Sequence, residues 1–264
     1  MSIIMIRLIT AVIVVVTGLL GCSHHQGIFQ DMETSEQRYS QKQRQETLIF
    51  MDLETMFPDP QLRALAKAAG RGDIRTIDRL ISQGVNVNAR GHRNATPLFW
   101  AMKNRRGFES LLERGADPNV VFDDGGSVLH WLAKSKNATL LKLALQFGGD
   151  PNLKASTMNG SVIFETFGLD INEGIPEAMK LLIENGADVN LKNEKGVTVV
   201  NMAALTNRFD VVIYLLEQGA DPSLQMTSGS DLTSIIERKK TILVPSSDEA
   251  MWLRRAELWL KKHH

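Results

Sequence analysis

Short apolar stretches at helical spacing recur along residues 59–224, and a glycine closes each of them. The stretch LLERGADPN at 111–119 returns in altered form as LISQGVNVN, ALQFGGDPN, LIENGADVN and LLEQGADPS. The last position of each copy is, in chain order, Asn88, Asn119, Asn152, Asn190 and Ser223, with spacings of 31, 33, 38 and 33 residues. A period near 33 residues indicates a repeated structural unit.

A second block recurs before each of the last four glycines. The blocks are TPLFWAM (96–102), SVLHWLA (127–133), SVIFETF (161–167) and TVVNMAA (198–204). Each begins with a hydroxyl side chain, which can accept a hydrogen bond from the unpaired N–H groups of a first helical turn. Thr96, Ser127, Ser161 and Thr198 are therefore predicted helix starts, and Pro97 suits the first helical position. Asp59-Pro60 offers the same start to the first unit.

The recurrent glycines predict the helix ends, because glycine adopts the left-handed conformation that closes many helices. Turn-rich stretches such as ARGHRNA and VFDDGG separate each end from the next start. Each unit thus predicts two antiparallel helices and a projecting turn. Such a unit cannot bury its own apolar face, so neighbours must stack. The predicted ends are Gly84, Gly115, Gly148, Gly186 and Gly219.

The two blocks resemble the ankyrin repeat, whose family form is TPLHxAA followed by LLxxGADxN. The resemblance implies an all-α solenoid of paired antiparallel helices with short β-hairpin fingers, about five repeats and a helical C-terminal cap. Unit two is two residues short between its threonine and its glycine, and unit four is four residues longer, through GLDINEG (168–174). We expect both changes in the loop between the paired helices. The predicted units are 59–89, 90–121, 122–154, 155–192 and 193–224.

Capping segments are predicted at both ends of the repeats. The apolar stretch 46–58 is expected to form a helix over the first unit. Residues 225–264 are expected to form a degenerate sixth unit, with a helix start at Asp231 and an amphipathic last helix. Its tryptophans, Trp252 and Trp259, lie seven apart, which favours a place in the core. The expected apolar side chains of that helix are Met251, Trp252, Leu253, Leu258, Trp259 and Leu260.

The first 21 residues are predicted to be an export signal, with a basic Arg7 and an apolar run from 8 to 20. The run ends in LLGC, which resembles the bacterial lipobox, so Cys22 is predicted to carry a lipid; the alternative is an uncleaved anchor helix. Residues 22–45 then form a flexible polar tether. The resemblance places the protein in the bacterial envelope, and Ser23 after the cysteine favours the outer membrane, facing the periplasm.

The charge balance narrows the classes of partner. Lys plus Arg and Asp plus Glu both number 30, so no overall field attracts nucleic acid. A single cysteine excludes an internal disulfide framework. We therefore expect any partner to be recognised by local shape.

Motifs for catalysis, for phosphate binding and for metal ligation are not found in the sequence, so we expect no enzyme activity, no cofactor and no metal site. His130 occupies the histidine position of the ankyrin block, where the family uses the imidazole to bond backbone around the turn. Asp123 and Asp124 precede two glycines, so turn formation explains them better than metal binding.

The ankyrin resemblance implies protein binding through the finger tips and the exposed inner-helix positions. Trp100 and Trp131 hold corresponding positions, where either core packing or a binding role is expected. The candidate contact residues are His92, Arg93, Asn94, Trp100, Lys103, Asn104, Phe122, Asp123, Asp124, Trp131, Lys134, Ser135, Thr157, Met158, Asn159, Asn193, Glu194 and Lys195.

The lipobox, the tether and the repeats together suggest two alternative functions. The combination resembles periplasmic immunity lipoproteins that protect a bacterium from its own secreted phospholipase toxins, including type VI effectors. The alternative is an assembly or protective factor for an envelope enzyme such as a catalase. In both cases the expected partner is another protein, and the expected lipid attaches the chain to a membrane.

Overall fold

Twelve α-helices and two 3-10 helices make up the regular structure of the residues that the computed structural model describes, 51–135, 137–154, 160–167 and 174–263. The described residues contain no sheet, and the fingers retain only isolated bridges, Val121 with Ser127 and Lys154 with Ser161. The α-helices are α1 Leu53–Met56, α2 Pro60–Arg71, α3 Ile74–Ser82, α4 Pro97–Ala101, α5 Arg105–Glu113, α6 Val128–Lys134, α7 Ala138–Gln146, α8 Glu177–Glu184, α9 Val199–Leu205, α10 Phe209–Glu217, α11 Leu232–Lys240 and α12 Asp248–His263. The 3-10 helices are His92–Asn94 and Val162–Thr166.

The helices form two packed layers within residues 52–264. The inner layer contains α2, α4, α6, the 3-10 helix Val162–Thr166, α9 and α11. The outer layer contains α3, α5, α7, α8, α10 and α12, and α12 packs on α10 and α11. This arrangement confirms the predicted all-α ankyrin solenoid.

The predicted helix starts are confirmed at three of the four blocks. The side chains of Thr96, Ser127 and Thr198 accept from the N–H groups three residues on, at 3.3, 3.4 and 3.4 Å. Ser161 is the exception, because it precedes a 3-10 helix and makes no capping bond. Its hydroxyl is buried without a hydrogen-bond partner. All five predicted glycine ends are confirmed, with φ between 81° and 92°.

The last position of each repeat motif ties that unit to the next. In each of the first four units the asparagine Nδ2 donates to the carbonyl of the following unit's end glycine. Its Oδ1 accepts from the backbone N–H two residues beyond that glycine. Ser223 in unit five bonds only within its own turn, to Asp221. The repeated motif is therefore a hydrogen-bonded ladder along the stack.

Close helix packing in unit two depends on Gly107. A Cβ atom there would collide with the Ala69 carbonyl, so α5 lies directly against α2. The missing residues of this unit shorten the inner helix itself, since α4 has 5 residues and α6 has 7. The loop expectation is therefore wrong for unit two. The predicted insertion of unit four, 168–174, lies outside the described residues except for Gly174.

At the N-terminal end the predicted cap is only partly described. A single turn, α1, begins after Asp52 and is followed by Phe57, which is fully buried together with Met56. Residues 46–50 lie outside the described residues, as do the predicted export signal, Cys22 and the predicted tether.

The C-terminal helices begin as expected, since the Asp231 carboxylate accepts from the N–H of Ser234 at 2.8 Å. The predicted core face of α12 needs correction. The core side chains are Leu253, Ala256 and Leu260, whereas Leu258 is 66% exposed. Met251 is exposed, and Trp252 and Trp259 are only half-buried. The seven-residue spacing places both tryptophans beside the core face, on the wall of a groove. Among the described helices, none combines the length and apolarity needed to cross a bilayer.

Candidate partner-binding surface

Two tryptophan–lysine pairs occupy corresponding places on successive inner helices. The Nζ of Lys103 lies 3.1 Å from the Trp100 ring centroid, and that of Lys134 lies 5.7 Å from the Trp131 ring centroid. Both indoles are half-buried and both lysines are exposed. Partial desolvation of its ammonium group, which lies against the indole, lowers the pKa of Lys103. Each indole is therefore packed partly against the core and lies partly at the surface, so both the core role and the binding role expected from the sequence stay open.

The Trp100 ring is held on one side by Gly70 of the first unit. A Cβ at Gly70 would lie 2.8 Å from the indole Cδ1. The Trp131 ring is held by Phe99, which packs edge-on to Trp131 at 6.3 Å between centroids and to Phe122 at 5.0 Å. The Phe122 prediction needs correction: its side chain is 2% exposed and belongs to this aromatic core, not to the finger surface.

Glu165 occupies the next inner-helix position of the same series, and the sequence analysis missed it. Its carboxylate lies 3.9 Å from the Lys134 ammonium, and its side chain is 5% exposed. The signal was available, since Glu165 is the fifth residue of its block, as Trp100 and Trp131 are of theirs. The inner face thus presents an aromatic and basic stretch that ends at a buried carboxylate.

The first finger tip is a 3-10 turn with an exposed His92. Arg93 and Asn94 adopt left-handed conformations, with φ of 54° and 63°. The Asn94 amide donates to the Val121 carbonyl at 2.6 Å, and the Arg93 carbonyl accepts from the N–H of Asp123 at 3.1 Å. These bonds join the first finger to the next one, so these two tips are held together.

Several other candidates stabilise turns or helix ends. Asp124 accepts from the N–H of Gly126 at 3.0 Å, which confirms the turn interpretation. The Asn193 side chain accepts from the N–H groups of Lys195 and Val197, both at 3.0 Å.

Two inner-helix candidates have similar structural roles. Asn104 caps α5 by accepting from the N–H of Gly107 at 3.1 Å, and Ser135 donates to the Leu132 carbonyl at 3.2 Å.

The candidates with mainly exposed side chains are His92, Lys103, Asp123, Lys134, Ser135, Glu194 and Lys195. Thr157, Met158 and Asn159 lie outside the described residues.

His130 joins unit three to unit four, as predicted for its position in the block. Its ring is fully buried, with Nδ1 2.8 Å from the Ser127 hydroxyl and Nε2 3.3 Å from the Gly160 carbonyl. A carbonyl can only accept, so Nε2 carries the proton and the Ser127 hydroxyl donates to Nδ1. Burial lowers the pKa of His130. The imidazole is therefore a neutral structural bridge.

Across the described residues, no group of three or more His, Cys, Asp or Glu side chains is arranged to hold a metal ion. The inner face instead combines rigid aromatic anchors with exposed ammonium groups. This chemistry suits recognition of another macromolecule.

These features define a helical repeat module for protein–protein interaction. A family model described as ankyrin repeats in three copies matches residues 129–226. Protein PhlB of Serratia liquefaciens is 31% identical over 179 residues, which cover 67% of this chain and 76% of PhlB. The chain belongs to the ankyrin-repeat family.

Other similar proteins share smaller parts of their sequence or only the fold. An ankyrin repeat protein of Acanthamoeba polyphaga mimivirus is 28% identical over 55% of this chain, which spans 19% of that protein. The solved ankyrin repeat domain from Acinetobacter baumannii has a TM-score of 0.60 at 24% identity, covering 73% of this chain and 97% of that domain. The ankyrin domain of Bcl-3 has a TM-score of 0.53 at 22% identity, covering 66% and 83%.

Proposed function

We propose that this protein is a lipid-anchored envelope protein that binds and neutralises a toxic effector, such as a secreted phospholipase, without catalysis of its own. The observation that carries the proposal is the pair of half-exposed indoles, Trp100 and Trp131, each with a lysine against its ring. Half-buried tryptophans on a rigid scaffold are typical anchors of protein interfaces.

The inner face is organised before any partner arrives. Gly70 and Phe99 fix the indole positions, so little side-chain freedom remains to be lost on binding. The exposed ammonium groups of Lys103 and Lys134 favour a partner surface that places acidic groups around an apolar anchor. Tight binding at such a face would block or hold the partner protein.

The proposed lipid anchor explains why a membrane-directed toxin is a suitable partner. A phospholipase must reach the bilayer, and a binder attached there by Cys22 meets it at its substrate. The polar tether would span on the order of 75 Å if fully extended, at ~3.3 Å per residue. The stack could therefore reach a protein well above the lipid surface.

Lipidation is tested by growing the producing bacterium with labelled fatty acid. We expect label in the parent protein in the membrane fraction and no label in Cys22→Ser, whereas an uncleaved anchor helix would leave both variants unlabelled in the membrane. Label in both variants, or an unlabelled parent in the cytosol, would refute the anchor.

Neutralisation is tested by copurifying partners from the envelope and assaying their phospholipase activity on vesicles. We expect the parent to inhibit the captured enzyme, and Trp100→Ala/Trp131→Ala to lose at least tenfold in affinity. Lys142→Ala, an exposed change on the outer helix α7, is the matched control and should inhibit like the parent. Capture of an envelope enzyme such as a catalase, with its activity increased, would support the assembly function instead.

A further inference from the structure

A second candidate binding site lies on the outer-helix layer, formed by elements other than the inner helices that carry the tryptophan–lysine pairs. A groove of about 820 Å³ runs between one face of α10 and one face of α12, beside the contact of the two helices, and includes Ile175 in its lining. Its apolar lining consists of Ile213 and Tyr214 on α10 with Trp252 and Trp259 on α12. All four side chains are half-buried, so they are neither core nor freely exposed. We call this site the α10–α12 groove.

The groove follows from the register of the two helices. On α10 its residues lie at positions 210, 213, 214 and 217, one helical face over two turns. On α12 they include positions 248, 252, 255 and 259, again one face. The neighbouring faces hold the core contacts, through Leu215 on α10 and Leu253 and Ala256 on α12. The long α12 therefore turns its aromatic side toward the groove, where the Trp259 ring also stacks on His263 of the same helix at 4.1 Å between centroids.

The cations at the base of the groove already have partners. Arg208 is 4% exposed and forms two 3.0 Å bonds to the Asp210 carboxylate, and it also donates to the Gly174 carbonyl. Arg255 lies 4.7 Å from the Trp252 ring centroid on its own helix. The Arg208–Asp210 ion pair therefore adds no net charge to the groove.

The remaining charge of the lining is acidic. The groove is lined by three further carboxylates, Glu217, Asp248 and Glu249. Besides the paired Arg208, Arg255 is the lining arginine that offsets part of their negative charge. Burial, and then the carboxylates of Glu184 and Glu177 outside the lining, raise the pKa of the Tyr214 hydroxyl. Aromatic walls with a surplus of carboxylates stabilise a cation that also carries apolar surface.

We propose that the α10–α12 groove binds a basic, partly apolar segment of another protein. Lysine or arginine side chains of that segment pair with Glu217, Asp248 and Glu249, while its apolar side chains cover Tyr214 and the two indoles. A segment laid between two helices in this way is an established mode of peptide recognition. The groove would give the stack a second contact, independent of the inner face.

Tryptophan fluorescence offers a direct test, because the chain contains four tryptophans. In Trp100→Phe/Trp131→Phe the two remaining indoles both line the groove. The full chain, reconstituted in zwitterionic nanodiscs, is titrated with a synthetic helical peptide of leucine and lysine. Twin peptides carry glutamate or glutamine in place of lysine, and empty nanodiscs correct for lipid binding. We expect saturable fluorescence change with the lysine peptide and at least tenfold weaker binding of both twins.

Charge reversal in the groove completes the test. Glu217→Lys/Glu249→Lys should lower the affinity for the lysine peptide at least tenfold. Glu54→Lys/Glu113→Lys changes exposed carboxylates elsewhere and should leave that affinity within twofold. Equal binding of all three peptides, or unchanged affinity after groove reversal, overturns the proposal. A dimer of the parent chain that groove reversal dissolves would assign the groove to a second copy and overturn it as well. Neither result bears on neutralisation through the inner face.

Discussion

Asn119 bonds the following repeat through its side-chain amide, with Nδ2 donating to the Gly148 carbonyl at 2.9 Å. The same amide accepts at Oδ1 from the N–H of Asp150 at 2.7 Å. One short side chain thus satisfies two backbone groups of a neighbouring unit. The recurrence of asparagine at this position follows from that geometry.

Asn119→Ala should destabilise the stack by about 1–2 kcal/mol, since it removes both bonds while water replaces them in part at an exposed site. Ser223→Ala is the control, because Ser223 bonds only within its own turn, and should change stability by less than ~0.5 kcal/mol. Urea unfolding of both variants measures the difference. Equal effects at the two positions would mean that the ladder contributes nothing.

Ser127 and Ser161 begin equivalent blocks, yet their alanine variants should differ in sign. Ser127→Ala removes a helix cap and the partner of His130, and should cost about 1–2 kcal/mol. Ser161→Ala removes a buried hydroxyl that has no partner, and should be neutral or stabilising by up to ~1 kcal/mol. Thermal and urea unfolding of the pair would show this. A similar loss in both variants would contradict the assignment of Ser161.

Acid should weaken the fold through His130. Burial lowers its pKa in the folded state, so below the ordinary value of 6.5 the unfolded chain binds the proton more readily. This contribution is fully present above pH 6.5 and is lost as the pH falls toward the folded-state pKa. The free energy of unfolding should therefore decrease more between pH 7.5 and pH 5.5 for the parent than for His130→Gln. Parallel pH profiles would show that residue 130 does not titrate on unfolding.

Gly107→Ala should destabilise the fold by roughly 1–3 kcal/mol, because the new Cβ meets the Ala69 backbone and forces α5 away from α2. The higher helix propensity of alanine favours the opposite change by about 1 kcal/mol, which the clash exceeds. Lys142→Ala, at an exposed position of α7, tests propensity alone and should stay within ~0.5 kcal/mol of the parent. Stabilisation by Gly107→Ala would show that the two helices can separate freely.

The repeat architecture was predictable because local chemistry sets it. Hydroxyl caps and left-handed glycines act within one turn of the chain, so Thr96 and Gly115 can be interpreted without knowing the fold. Ser161 shows the limit of this reasoning. Its block has the right start, but the 3-10 helix that follows packs on α6 of unit three and on α8 of its own unit, contacts that the block alone does not encode.

The binding surface was harder to predict because exposure is decided between units. Phe122 sits in a turn-rich finger, yet Phe99 of the preceding unit covers it. Trp252 and Trp259 have core spacing, yet α12 leaves them on the wall of a groove. Glu165 shares the fifth block position with the two tryptophans, but its burial beside Lys134 could not be predicted from that position. Each case depends on a neighbour distant in sequence.

Photocrosslinking in the producing bacterium tests most directly whether the inner face binds a protein. Benzoylphenylalanine is placed singly at Lys103 or Lys134 on the inner layer, and at Lys142 on the outer helix α7 as control. The account predicts one common protein adduct from the first two positions, no such adduct from the third, and loss of the captured protein's phospholipase activity. Absence of an adduct at both inner positions, or an equal adduct from Lys142, would contradict it.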